Sequence, residues 1–196
     1  MSAALEGGAF QYVRASSRRK HTKQNRQPDR LLQKCLRELK DGDWLRACKQ
    51  LVRDSPRWTH NESNHVLCLG LGSPTYSLTA AAQLAFLLQL CDDMCLPYSR
   101  ISAYDPAFSE DDNKLLDELK IHRVTENLEG KHAITSPTLV FMPHCDVQLY
   151  EALLAANWTH ERLTNMLLVC NQFSQYQTSI PRRIFEAKYP HLLRYG

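Results

Sequence analysis

From residue 65 onward the chain switches between two hydrophobic rhythms. Short unbroken apolar runs at 65–69 (HVLCL), 138–142 (TLVFM) and 166–170 (MLLVC) predict strands buried on both faces, because no polar alternate marks a solvent side. The run at 99–105 (SRISAYD) alternates into a further strand, and 121–125 is a short one. Between them, apolar residues recur at helical spacing over 78–90, 109–119 and 147–158. Strands and helices in alternation predict a parallel sheet, since parallel neighbours need crossovers, and right-handed crossovers put helices on both faces. The expected fold class is α/β, a Rossmann-like three-layer domain with a mainly parallel sheet of about five strands.

Ahead of this pattern, Leu31, Leu32, Cys35, Leu36 and Leu39 share one helix face. Trp44, Leu45, Cys48, Leu51 and Val52 mark a second helix after Asp41-Gly42-Asp43, ended by Ser55-Pro56. Residues 29–54 therefore read as an N-terminal helical extension packed outside an α/β domain of 60–196, with a polar linker at 55–64. Residues 1–28 hold few large apolar side chains, so they are expected to form a disordered basic tail. Its run Arg18-Arg19-Lys20-His21-Thr22-Lys23 can serve nuclear import, but without interleaved aromatics it reads as solvated chain rather than a nucleic-acid site. The stretch at 180–196 mixes basic and apolar residues and is expected to dock on the core.

A chain of 196 residues, 43% of them apolar, can bury one good core. The net charge of +3 comes largely from the N-terminal tail, which leaves the folded part close to neutral. Seven cysteines with no CxxC pair sit mostly inside apolar runs, as reduced buried thiols do, and Cys91 and Cys95 read as one buried helix face. A reducing compartment follows: the cytoplasm, with the nucleus open as well. No secretory signal is expected at the start, and the apolar stretch at 78–90 is too short to span a bilayer. Asn61-Glu62-Ser63 and Asn157-Trp158-Thr159 match the glycan-acceptor pattern but read as coincidences in such a compartment.

The chemistry gathers at strand ends. Gly70 and Gly72 in Gly-Leu-Gly-Ser-Pro allow backbone angles closed to other residues, and Ser73 is expected to cap the following helix and leave its N–H groups facing an anion or nucleotide. Pro74 removes one of those groups, and no third glycine completes the dinucleotide fingerprint. Asp105 closes the second strand, where a carboxylate can accept both hydroxyls of a ribose; it can equally start a turn through Pro106. His144-Cys145 follows the run at 138–142, and Asn171 follows the last strand. Ligands bind beyond the carboxyl ends of parallel strands, so Gly70, Gly72, Ser73, Asp105, His144 and Asn171 are the candidate ligand-binding residues. His144 and Cys145 lack further ligands at metal spacing and an orienting group for nucleophilic catalysis, so no metal or catalytic residue is assigned and the cofactor is unknown.

Taken in order, Gly70-Leu71-Gly72-Ser73, Ala82-Gln83-Leu84-Ala85, Tyr104-Asp105-Pro106-Ala107-Phe108, Glu126-Asn127, Gly130-Lys131, the run TLVFMPHC over 138–145 and Asn157-Trp158 resemble the SRR1-like, or Sensitivity to Red Light Reduced, family. The resemblance covers roughly residues 60–176. It implies a eukaryotic regulatory protein, tied in plants to phytochrome signalling and circadian clock input and in fungi and animals to heme biosynthesis and clock-gene expression, with no established enzymatic activity. One block departs: the family's Gly-Asn-Ser-Phe reads Cys170-Asn171-Gln172-Phe173, whose bulk narrows a pocket beside the last strand. The implied partners are proteins that the sequence does not identify and a small-molecule ligand, with neither membrane nor nucleic acid expected. An S-adenosylmethionine- or nucleotide-binding enzyme of Rossmann-like fold is the alternative. A pure interaction module is a third, and would expose an apolar patch on the N-terminal helices or the tail.

Overall fold

The computed structural model describes residues 29–39, 42–55 and 64–195. The expected disordered tail at 1–28 and the acceptor pattern at Asn61 lie outside the described residues. Strands β1 (His65–Leu69), β2 (Ile101–Tyr104), β3 (His122–Arg123), β4 (Thr138–Met142) and β5 (Met166–Cys170) form one sheet in the order β3-β2-β1-β4-β5. Every pairing is parallel. The order reverses between β1 and β4, so the connections leaving these neighbours turn to opposite faces and open a crevice beyond their carboxyl ends.

Side chains alternate across the strands and divide the core in two. Val66, Cys68, Leu139 and Phe141 pack with Leu84 and Leu88 of α3 (Leu78–Asp93) and Leu115 of α4 (Glu110–Glu118). Leu67, Leu69, Val140 and Met142 face Tyr150 and Leu153 of α5 (Val147–Ala156). The first layer also takes in Leu32 and Cys35 of α1 (Arg30–Leu39) and Val52 of α2 (Asp43–Arg53), so the N-terminal helical pair shares the core of the sheet.

On the opposite face α6 (His160–Thr164), α7 (Phe173–Ser179), α8 (Arg182–Lys188) and α9 (Pro190–Tyr195) close the chain. Phe185, Tyr189 and Leu192 are buried against α5, which docks the C-terminal stretch as the sequence leads one to expect. Glu151 fastens it: its carboxylate accepts the N–H groups of His191 and Leu192 and meets His191 Nδ1 at 2.6 Å. A carboxylate suits the start of a helix, where N–H groups have no acceptor within the helix itself.

Four local features differ from the pattern reading. Ser73 does not cap α3; Ser77 does, its hydroxyl accepting the Ala80 N–H, because four more residues turn before the helix begins. Leu167 to Cys170 are only partly buried, since β5 is the sheet edge rather than an interior strand. Cys91 and Cys95 share no helix face: Cys91 is fully buried, whereas Cys95 lies past the end of α3, exposed and at φ 55°. Residues 98–100 form a short 3-10 turn before β2 rather than the start of a strand.

Candidate ligand site at the carboxyl edge of the sheet

The glycine turn after β1 is shaped by what lies against it. Gly70 sits at φ +69°, and a Cβ there would fall 2.3 Å from the Cys145 sulfur. Its N–H donates to the Tyr104 carbonyl at 3.3 Å, extending the β1–β2 ladder by one rung. Gly72, at φ +75°, donates its N–H to Asp105 Oδ2 at 2.7 Å. Asp105 Oδ1 accepts the Ala107 N–H, also at 2.7 Å, so the carboxylate both starts a turn and ties the end of β2 to the glycine loop.

The residues after the glycines are held by a carboxylate outside the candidate set. Asp112 of α4 is fully buried, and its Oδ2 accepts the Ser73 hydroxyl at 2.6 Å together with the N–H and hydroxyl of Ser109. Oδ1 accepts the N–H and hydroxyl of Thr75. Burial alone would raise the pKa of this carboxyl; the hydrogen bonds from Ser73, Ser109 and Thr75 outweigh it and hold the group below the usual carboxylate range. The Ser109-x-x-Asp112 spacing of a capping box was the available signal, and the box is present.

Beyond β4, Tyr150 fixes the Pro143-His144-Cys145 turn by donating its hydroxyl to the Met142 carbonyl and accepting the Cys145 N–H. Tyr176 donates to the Cys145 carbonyl at 3.1 Å. The adjacent side chains then diverge. The Cys145 thiol turns inward and donates to the Leu69 carbonyl at 3.3 Å, while His144 is exposed. Burial, reinforced by Asp105, Cys170 and Asp146, pushes the Cys145 thiol up to about 12, which keeps it protonated and unreactive at neutral pH.

Gly70, Gly72, Asp105 and His144 line one open cleft of about 940 Å³ at this edge, together with Ser77, Thr79, Ala80 and Gln83 from the start of α3. Ser73 and Asn171 do not line it. The Ser73 hydroxyl is directed at Asp112, and the Asn171 amide donates to the Tyr176 hydroxyl at 2.9 Å, supporting the turn rather than reaching the opening. A smaller lobe of about 470 Å³ adjoins the first across Gly70, Pro106, Asn127, Asp146 and Leu149. Its far wall is Tyr104, Lys131, His132 and Gln148.

His132 escaped the pattern reading because it stands in a polar loop with no strand end to flag it. The loop is pinned from beneath by Asn157, which is fully buried; its Oδ1 accepts the Ile134 N–H and its Nδ2 donates to the carbonyls of His132 and Leu153. With every polar atom of the amide engaged inside the fold, Asn157 has no face for a glycan. Gly130, at φ +83°, lets the same loop lie so close to α5 that a Cβ would meet the Leu149 carbonyl at 2.8 Å.

Fold and cleft define a class: α/β proteins with a doubly wound parallel sheet and an open crevice at its reversal point. Within that class, the model of the SRR1 domain matches residues 32–195, and the chain belongs to the SRR1 family. It is 34% identical over 137 residues to the SRR1-like protein of Mus musculus, covering 68% of this chain and 55% of that protein. It is 27% identical over 145 residues to the SRR1-like protein of Drosophila melanogaster, covering 74% of this chain and 51% of that one. The Arabidopsis thaliana protein Sensitivity to Red Light Reduced 1 is 30% identical over 111 residues, covering 57% of this chain and 40% of its own length. The chain thus spans about half the length of the curated relatives it matches. No solved structure matches it.

Proposed function

We propose that this protein is a regulator of light and clock signalling and of heme biosynthesis, acting through protein partners and through a small ligand held in the edge cleft. The observation that supports this most is the extent of the family match, which takes in nearly all of the described structure and includes a relative named for red-light sensitivity. The cleft adds a place where a metabolite can be sensed. Cytoplasm and nucleus are the compartments proposed, in keeping with reduced thiols. An enzyme acting on S-adenosylmethionine or a nucleotide is the second reading, favoured by the crevice at the reversal point of the sheet.

The test is genetic. In cells that encode this protein, its removal is expected to shift the period or phase of a clock reporter and to change heme content, and the wild-type chain is expected to restore both. Thr79→Trp fills the larger lobe from an exposed position at the start of α3. It is expected to leave the thermal melt unchanged and fail to restore the rhythm. An unaltered rhythm and heme level after removal would sink the proposal.

A further inference from the structure

Resting on the reading of the edge cleft as a ligand site, we propose that it takes a phosphate-free nucleoside, with an uncharged heterocycle in the smaller lobe beside His132 and the sugar hydroxyls toward Asp105. His132 is only 9% exposed, yet it lines that lobe. Its backbone N–H and carbonyl are engaged by the Gly130 carbonyl and the Asn157 amide, each at 2.8 Å, whereas its ring makes no hydrogen bond among the described residues. Burial lowers the imidazole pKa against the opposing pull of Glu126, which leaves a neutral ring with one donor and one acceptor. A heterocycle edge presents the same complementary pair. On the wall of the lobe such a ring offers a ligand atom both a donor and an acceptor in exchange for water.

The walls fit a flat ring. Tyr104, Pro106, Leu149 and Ala152 contribute an aromatic ring and apolar surface to the lining, and about 470 Å³ lies within the size range of small-ligand pockets. Asp105 faces the larger lobe with both oxygens held by N–H groups at 2.7 Å, which fixes its orientation while each oxygen keeps a lone pair for a hydroxyl.

Charge argues against phosphate. Asp105, Asp146 and Glu129 line the two lobes against a single lysine, Lys131, which lies 3.0 Å from Glu129, so the lining carries an excess of negative charge. The other basic side chains on the lining are the imidazoles of His132 in the smaller lobe and the exposed His144 on the larger one. A dianionic phosphate would meet carboxylates with little to offset them.

Isothermal titration of the full chain with adenosine, cytidine, adenosine monophosphate and hemin tests this, with ring resonances of His132 followed by NMR. At least one nucleoside is expected to bind with a Kd below about 1 mM and to shift those resonances, and adenosine monophosphate to bind at least about tenfold more weakly than adenosine. His132→Gln is expected to weaken the nucleoside at least about fivefold, and Glu129→Gln, which releases Lys131, to narrow the gap between nucleoside and monophosphate. Equal or tighter binding of the monophosphate, or nucleoside binding without movement of the His132 ring, would overturn the inference. If only the monophosphate or hemin binds, and Thr79→Trp abolishes it, the cleft remains a ligand site while the nucleoside assignment fails. Silence from every probe overturns both.

Discussion

Asp105 at the end of β2 and Gly72 beyond the end of β1 are joined by a hydrogen bond of 2.7 Å from backbone N–H to carboxylate. One side chain therefore couples the two parallel strands on one side of the sheet's reversal point and shapes the turn that forms the cleft floor. Asp105→Ala leaves the Gly72 and Ala107 N–H groups without that acceptor. A cost of about 2 kcal/mol is expected, read as a lowered urea midpoint with an unchanged slope. Asp105→Asn, which keeps one acceptor oxygen, is expected to cost less.

Gly70 and Cys145 meet beyond the ends of the neighbouring strands β1 and β4, with no room for a Cβ between them. Gly70→Ala adds a Cβ at φ +69° and drives it into the thiol, so a loss of about 3 kcal/mol is expected from strain and displacement together. Replacing Cys145 by Ala in the same chain removes the colliding sulfur. The double-mutant cycle is expected to return a coupling of at least about 1 kcal/mol, and strict additivity would show that the collision is not the cause.

The buried Asp112 makes stability pH-dependent in acid. Its folded-state pKa is depressed below the unfolded value of about 3.9, so in that window the unfolded chain binds more protons and stability rises with pH. The contribution is present in full above about pH 4 and is lost as pH falls through the still lower folded value. Thermal melts across the acid range should show a steep limb for the wild type. Asp112→Asn is expected to be less stable at neutral pH and to flatten that limb.

Thiol labelling separates the cysteines. Cys95 is exposed, whereas burial pushes the pKa of Cys145 and of Cys91 up to about 12. Iodoacetamide at about pH 8 is expected to modify Cys95 in the native protein and leave Cys145 and Cys91 unmodified until denaturant is added. Mass spectrometry of digests reads the order directly, and native labelling of Cys145 ahead of Cys95 would contradict the buried setting of the thiol.

Asn157→Ala removes the amide that holds the His132 loop on α5. The Ile134 N–H and the His132 carbonyl lose their partner inside the fold, and a destabilisation of at least about 2 kcal/mol is expected in chemical denaturation. Amide exchange of the loop between Gly130 and Ile134 should accelerate more than that of β1 or β4.

The sequence by itself determined the elements and their order, because periodicity is a local property: TLVFM cannot offer a polar face, and the Leu78 helix cannot bury its surface as a strand. Alternation of those elements was sufficient for a parallel α/β sheet, and the glycines and Asp105 were legible as strand-end residues. Only the tertiary structure decided what those residues touch. Ser73 bonds to Asp112 across 39 positions, Gly72 to Asp105 across 33, and Cys145 to Leu69 across 76, and no local pattern encodes such separations. Strand order brought Gly70, Gly72, Asp105 and His144 to one opening and directed Asn171 to Tyr176 instead. His132 became visible only once Asn157 and Gly130 had folded its loop onto α5, since burial of a polar ring is a property of packing and not of sequence spacing.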